Sequence, residues 1–137
     1  MTAYANAILK HAGISNDSIV PDHLILDEHT RSAPFAVTAG DGPFVRGEVV
    51  AIVLATGVIA KLTAAPAAGG VLAVCAYDFD NSAAAVTAGN NSGNAQVYVG
   101  GKLNETALVF NGTATLANCR QSLLGSGIQL QVPLALN

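Results

Sequence analysis

Short apolar runs separated by turn residues make up most of the chain after residue 44. Val45–Leu54 and Val58–Leu62 flank Thr56-Gly57, a turn signal between two β-branched runs, which predicts a β-hairpin. Alternating polar and apolar positions, or apolar runs of strand length, predict further strands in the rest of this region. These predicted strands are Val71–Phe79, Gln96–Leu103, Leu108–Phe110 and Ile128–Val132.

A single helix is predicted late in the chain. Thr113 or Thr115 supplies its N-cap, and Gly125 ends it. The residues of its predicted apolar face are Leu116, Cys119, Leu123 and Leu124.

The connections complete the prediction of fold class. Segments 64–70 and 81–94 are predicted to be loops, because they contain Pro, Gly, Asn and small residues but few residues that could fill a core. Several short strands with one late helix predict an α+β, mostly β domain over residues 45–137. We expect a small open β-barrel or a β-sandwich.

Residues 1–44 differ from that domain, since they are more polar and are interrupted by Pro and Gly. We expect them to form an extended, largely irregular N-terminal arm. Within the arm, Thr2 caps a predicted helix over residues 3–12, and Gly13 ends it. The apolar face of this helix has the spacing i, i+3, i+4, i+7 and consists of Ala5, Ile8, Leu9 and Ala12.

Charged residues are sparse and unevenly distributed. They make up 11% of the sequence, against about 25% in an ordinary soluble domain. Residues 1–48 hold nine of the 15 charges, and residues 49–137 hold six. A small domain with so few charges aggregates, enters a membrane or buries much of its surface against partners.

Composition argues against several partner classes. The apolar run Val49–Leu62 is interrupted by Thr56-Gly57 and Lys61 and is too short for a spanning helix. A net charge of −3 without a basic cluster argues against nucleic acid. No basic flank followed by an apolar stretch opens the sequence, so we expect no secretion signal.

Candidate catalytic and metal-binding residues do not form a recognisable constellation. The spacing of His11, His23 and His29 does not suit a zinc site. Asp78–Ser82 places oxygen ligands at alternate positions like a calcium loop, but it lacks the central Gly and the distal Glu, which favours a strand-ending turn. Nucleophile motifs and phosphate-binding glycine loops are absent. We therefore expect no enzyme activity, no metal, no cofactor and no small-molecule substrate.

Two cysteines are too few for a disulfide scaffold. Cys75 lies in an apolar run and Cys119 in the predicted helix, so buried thiols are the preferred interpretation. A single disulfide between them is the alternative.

A succession of sequence blocks runs through the second part of the chain: Arg46–Ala51, Thr56–Leu62, Gly70–Asp80, Val97–Asn104, Ala107–Phe110 and Gly127–Leu130. This succession resembles the lambda-type head decoration proteins of tailed bacteriophages. The resemblance covers residues 35–132 and has no single diagnostic motif; residues 1–34 match no block of that family.

This resemblance implies a structural virion protein. Such proteins are homotrimers that bind the outer surface of an assembled, expanded capsid and clamp neighbouring copies of the major capsid protein. The protein would be made in the host cytoplasm and reside on the outer capsid surface. We expect the arm to contact the capsid through apolar residues, namely Tyr4, Ala5, Ile8, Leu9, Leu24 and Leu26. The alternative is a secreted or cell-surface β-module, such as an adhesin or pilus subunit, which shares the bland Thr, Asn, Ala and Gly composition.

Overall fold

The computed structural model describes residues 23–26, 29–38, 40–88 and 94–132. Within these ranges the chain forms strands joined by tight turns, two helices and one turn of 3-10 helix, Glu105–Ala107. The strands are β1 Arg31–Val37, β2 Val49–Val53, β3 Val58–Lys61, β4 Val71–Cys75, β5 Asn94–Asn104 and β6 Ile128–Gln131. The helices are α1 Ala83–Ala88 and α2 Leu116–Gly125.

Five of the strands close into a β-barrel, and the sixth extends it. The strand order is β1-β3-β2-β4-β5, and pairing of β1 with β5 completes the ring. Strand β6 runs parallel to the far end of β5, with Gly101 opposite Ile128. The predicted mostly β fold with a late helix is confirmed, and the barrel is closed where an open one was expected.

Strand β1 makes the difference between the open and the closed barrel. We expected residues 31–37 to be irregular because Pro34 interrupts them, and this expectation is wrong. Pro34 has no N–H to donate to a neighbouring strand. It lies opposite Gln96 of β5, whereas the pairing of β1 with β3 involves only Ala36 and Val37. A proline is therefore tolerated at a position where β1 has a neighbour on one side.

Several predicted strands are shorter than expected. Val45–Leu54 begins as a strand only at Val49, because the chain turns at Gly47, which has a left-handed φ of 88°. The predicted strand Leu108–Phe110 is reduced to one bridge, between Val109 and Glu48.

Helix α1 lies in a segment that we expected to be a loop. Its start is stabilised by Ser82, whose Oγ accepts a hydrogen bond from Ala85 N–H at 3.3 Å. Alanine is the best helix former, so a run of alanines after a capping serine favours this short helix, and buried Ala85 packs it against the domain. Sequence reasoning missed it because the segment offers almost no large apolar side chains.

The two faces of the sheet carry separate apolar clusters. One fills the barrel and is formed by buried residues that include Phe44, Val50, Ile59, Cys75 and Val97. The other lies outside the barrel, beneath α2 and β6, and includes Leu24, Leu72, Leu103, Cys119, Leu123 and Ile128. Because the strands are shared, the two clusters stabilise one domain.

Helix α2 forms where the sequence predicts it. Thr115 is the N-cap, and its side chain and that of Asn118 bond reciprocally to each other's backbone N–H in a capping box. Cys119 and Leu123 are buried, as predicted. Leu124 is 62% exposed, so its assignment to the buried face was wrong.

Candidate functional site: the outer wall of the barrel

The charged side chains near the barrel end serve internal contacts. Glu48 is 2% exposed, and its Oε1 accepts a hydrogen bond from Val45 N–H at 3.2 Å. Its Oε2 lies 3.3 Å from Lys61 Nζ, in an ion pair whose geometry is not that of a directed hydrogen bond. The ammonium group also lies 5.0 Å from the centre of the Phe44 ring. The positive charge of β3 is therefore turned toward the inside of the barrel.

Arg46 ties the turn before β2 to β4 and β5. Its Nη1 donates to Ala76 O at 2.6 Å and to Tyr98 Oη at 2.8 Å, and the guanidinium lies 5.7 Å from the Tyr98 ring centre. The Arg46 backbone N–H donates to Asp78 Oδ1 at 2.8 Å. These contacts join the turn before β2 to the segment that follows β4 and to β5, so they stabilise the fold.

On the surface, Glu105 and Arg120 form an ion pair with Nη1 and Oε2 2.8 Å apart. The hydrogen bond from Arg120 to Glu105 raises the pKa of the guanidinium further above its ordinary value. This pair neutralises two of the six charges in residues 49–137.

The histidines and the Asp78–Ser82 segment do not converge. His23 and His29 are exposed, and His11 lies outside the described residues. Asp80 Oδ1 accepts a hydrogen bond from Ser82 N–H at 2.9 Å, which is the side-chain turn that the sequence predicts. Among the described residues, no group of three or more His, Cys, Asp or Glu is placed to hold a metal ion.

Both cysteines are buried free thiols, as preferred from the sequence. Cys75 lies inside the barrel and Cys119 beneath α2, in different clusters. Burial raises the pKa of the Cys75 thiol strongly, and the negative charge of Glu48 adds to the effect. Burial also raises the pKa of Cys119. Neither thiol is poised to act as a nucleophile, since the reactive form is the thiolate.

The outward side of β2 and β3, together with the end of β1, carries small apolar side chains. Val50 and Ile52 point into the barrel, so Ala51 and Val53 point outward, and the same alternation turns Val58 and Ala60 outward on β3. On β1, Phe35 and Val37 point inward and Ala36 points outward. We call this surface the outer wall; it consists of Ala36, Ala51, Val53, Val58 and Ala60.

Strand register makes the outer wall contiguous. Val53 lies directly opposite Val58, Ala51 lies opposite Ala60, and Ala36 lies beside Val58 on the other flank. All five are partly or largely accessible, and Val53 is 37% exposed. Leu54, at the adjoining hairpin tip, is 70% exposed. An uncharged apolar face of this kind is typical of an interaction surface.

The outer wall was missed in the sequence, although its signal is present. β2 and β3 both read as nearly continuous apolar runs, which indicates strands covered on both faces. In this structure the inner face is filled by the barrel cluster. On the outer face of β2, Val49 and Ala51 pack against the cluster beneath α2, so this face is open mainly at the hairpin end, at Val53 and Val58.

A cleft of about 570 Å³ lies between the loop Pro66–Gly70 and α2. Its polar lining consists of Asn118, Gln121, Ser122 and Ser126, and none of its lining residues is ionisable. The lining of the cleft therefore offers no ionisable acid or base, and its two serine hydroxyls, of Ser122 and Ser126, have no general base among the lining residues to activate them.

The predicted capsid-contact residues fall into two groups. Leu24 is 1% exposed and belongs to the cluster beneath α2, and its backbone O accepts a hydrogen bond from Asn104 N–H at 2.8 Å. Leu26 is half-buried, and its N–H donates to Lys102 O at 3.0 Å. The remaining predicted contacts lie outside the described residues; they are Tyr4, Ala5, Ile8 and Leu9.

None of the helices in the described part of the chain has the length and hydrophobicity needed to cross a membrane. Comparison of the sequence with protein-family models and with curated proteins gave no match.

Proposed function

We propose that this protein is a capsid decoration protein of a tailed phage. It binds as a homotrimer to the outer surface of the assembled, expanded shell and clamps neighbouring major capsid protein subunits. The observation that carries the proposal is the outer wall, an uncharged apolar face on a domain whose surface has few free charges. The resemblance of residues 35–132 to lambda-type decoration proteins supports the same function.

Charge placement strengthens the argument from the outer wall. Exposed faces of soluble domains normally carry interspersed charged side chains. Here Lys61, the one charged residue on β2 and β3, pairs with buried Glu48 inside the barrel. Burying an ion pair carries a desolvation penalty, while the outside of the same strands is left without charge. A strand face without charged side chains can be covered by a partner without burying a charge.

The mechanism is thermodynamic linkage. A protein that binds the expanded shell and not its dissociated subunits stabilises the shell by mass action. Contacts to two or three subunits at once add avidity, because the second contact forms at high effective concentration. No chemical step is required.

Within this proposal the arm adds contacts beyond the barrel. Leu24 anchors the base of the arm in the domain, because it is buried in the cluster beneath α2. Tyr4, Ala5, Ile8 and Leu9 supply the apolar contacts with the capsid. Deleting residues 1–20 should weaken capsid binding and leave the trimer folded; binding of the truncated protein at full affinity would exclude a role for the arm.

Co-sedimentation with expanded heads of the virus that encodes the protein tests the proposal. Val53→Lys places a charge on the outer wall and should weaken binding by at least about tenfold, because an unpaired charge would be buried. Val86→Lys is the matched control, since Val86 is an exposed valine on α1, 51% accessible and outside the outer wall. Wild-type protein that stays in the supernatant at micromolar concentration would refute the proposal.

A further inference from the structure

We propose that the cleft between the loop Pro66–Gly70 and α2 binds an extended, uncharged segment of the major capsid protein. The volume of the cleft is about 570 Å³. Ligand-binding clefts in proteins commonly have volumes of about 300–1,000 Å³. The inference rests on the proposed function and deepens it, because it adds a second contact to the outer wall and names the chemistry of the segment that makes it.

One face of α2 forms a polar wall of the cleft. Its residues follow one another at the spacing i, i+3, i+4, i+7 and are Asn118, Gln121, Ser122 and Gly125. Asn118 is already engaged, since its Oδ1 accepts a hydrogen bond from Thr115 N–H at 2.8 Å. Among the described residues, none forms a hydrogen bond with the side chains of Gln121 and Ser122. Their amide and hydroxyl groups are therefore available as donors and acceptors for a ligand.

Gly125 leaves room for such a ligand. A Cβ at this position would meet no atom within 4 Å, so packing inside the domain does not require a glycine. The backbone does not require one either, since Gly125 is helical and lies outside the left-handed region. Glycine is the least favourable residue in a helix after proline. A glycine without such a structural reason is typical of a position where another molecule approaches the backbone closely.

The lining of the cleft indicates the class of ligand. It has no charged side chain, which argues against an ionised ligand, because the charge would be buried without a partner. It also has no aromatic side chain on which a nucleobase could stack. Small residues on both walls, Ala67 and Ala68 on the loop and Gly125 on α2, allow a polypeptide main chain to come close. The N–H and C=O groups of that main chain match the amide of Gln121 and the hydroxyl of Ser122.

The position of the cleft indicates which protein supplies the segment. A depression of about 330 Å³ lies between the cleft and the outer wall, because it is lined by Ala51 of the wall and shares Pro66 and Ala67 with the cleft. A partner that covers the outer wall can therefore extend a segment past the loop into the cleft. The hairpin tip of a second copy fits less well, since its most exposed side chain, Leu54, is apolar and would face the polar stripe of α2.

Co-sedimentation with expanded heads, combined with thermal unfolding of the free protein, tests the assignment. Gly125→Leu fills the cleft and should weaken binding at least about tenfold. The melting temperature of the free protein should stay equal or rise, because leucine is the better helix former. Ala117→Leu is the matched control and should bind like wild type, since Ala117 is exposed on the same helix but does not line the cleft. Should Gly125→Leu disturb the fold, Gly125→Ala repeats the test with a single methyl group.

Photo-cross-linking identifies the occupant. Ala68→Cys, on the loop that faces α2, is labelled with a benzophenone and irradiated on the heads, while the native thiols are buried. We expect a cross-link to an uncharged stretch of the major capsid protein, with a yield at least about tenfold above that of labelled Gln129→Cys on the exposed side of β6.

The outcomes separate this proposal from the proposed function. Undiminished binding of Gly125→Leu would overturn the role of the cleft and leave capsid binding intact. A cross-link from Ala68→Cys within one chain, or between two copies of it, would overturn the role of the capsid protein as occupant. Wild-type protein that does not bind the heads would refute both proposals.

Discussion

Lys61 Nζ lies 3.3 Å from Glu48 Oε2 and 5.0 Å from the centre of the Phe44 ring, at the inner side of the barrel. Glu48 is almost fully buried, whereas Lys61 is 27% exposed. The ion pair therefore joins the end of β3 to the residue that precedes β2. Because Lys61 is turned inward, the outer side of the β2–β3 hairpin carries no charged side chain.

Removing the lysine should destabilise the domain strongly. Lys61→Met leaves the Glu48 carboxylate buried without its counter-charge, which should lower the free energy of unfolding by about 3–5 kcal/mol. Lys61→Met/Glu48→Gln removes the stranded charge and should recover most of that loss. Urea denaturation of both variants measures the difference. Lys102→Met, at an exposed lysine, is the control and should stay within about 0.5 kcal/mol of wild type.

Burial of Cys75 predicts a specific dependence of stability on pH. Its folded-state pKa lies well above the ordinary 9.0, because burial disfavours the thiolate. The stabilisation is complete below the unfolded pKa. It is lost as pH rises above 9, where the unfolded thiol ionises and the folded one does not, by about 1.4 kcal/mol per pH unit. Cys75→Ala should start less stable but lose stability less steeply between pH 8 and 10; parallel curves would contradict the assignment.

Gly112 should be intolerant of a side chain. It has a left-handed φ of 59°, and a Cβ there would collide with the carbonyl oxygen of Thr63. Gly69 has a similar φ of 76° but open space around the added atom. Gly69→Ala should therefore cost about 1–2 kcal/mol from backbone strain alone. Gly112→Ala should cost clearly more in thermal or urea denaturation, and equal costs would show that the close approach is unimportant.

The elements that follow local chemistry were predictable from the sequence. Thr115 caps α2, and Thr56-Gly57 forms the hairpin turn, because caps and turns depend on near neighbours. Gly125 is the last residue of α2, but its C-cap is Ser126 and the left-handed glycine is Gly127. Strand β1 was not predictable, because a proline in the sequence indicates an interruption of a strand. Pro34 is tolerated in β1 because only β5 pairs with the strand at that position. The burial of Glu48 was also missed, because its ion-pair partner Lys61 lies thirteen residues further along the chain.

The outer wall required the structure. The apolar runs of β2 and β3 predict strands, but the direction in which each side chain points follows from barrel closure. In the sequence, Lys61 indicates an exposed position that interrupts the apolar run. In the structure, its side chain points toward the inside of the barrel. Which face remains uncovered therefore depends on the tertiary arrangement of β1, β2 and β3.

Thermal disruption of expanded heads tests whether the protein stabilises the capsid. Heads with and without saturating protein are heated, and release of their DNA is followed with an intercalating dye. We expect occupied heads to release DNA at a higher temperature than bare heads. Val53→Lys should lose this effect, and Val86→Lys should keep it. Release at the same temperature from occupied and bare heads would contradict stabilisation of the capsid, even if the protein were bound.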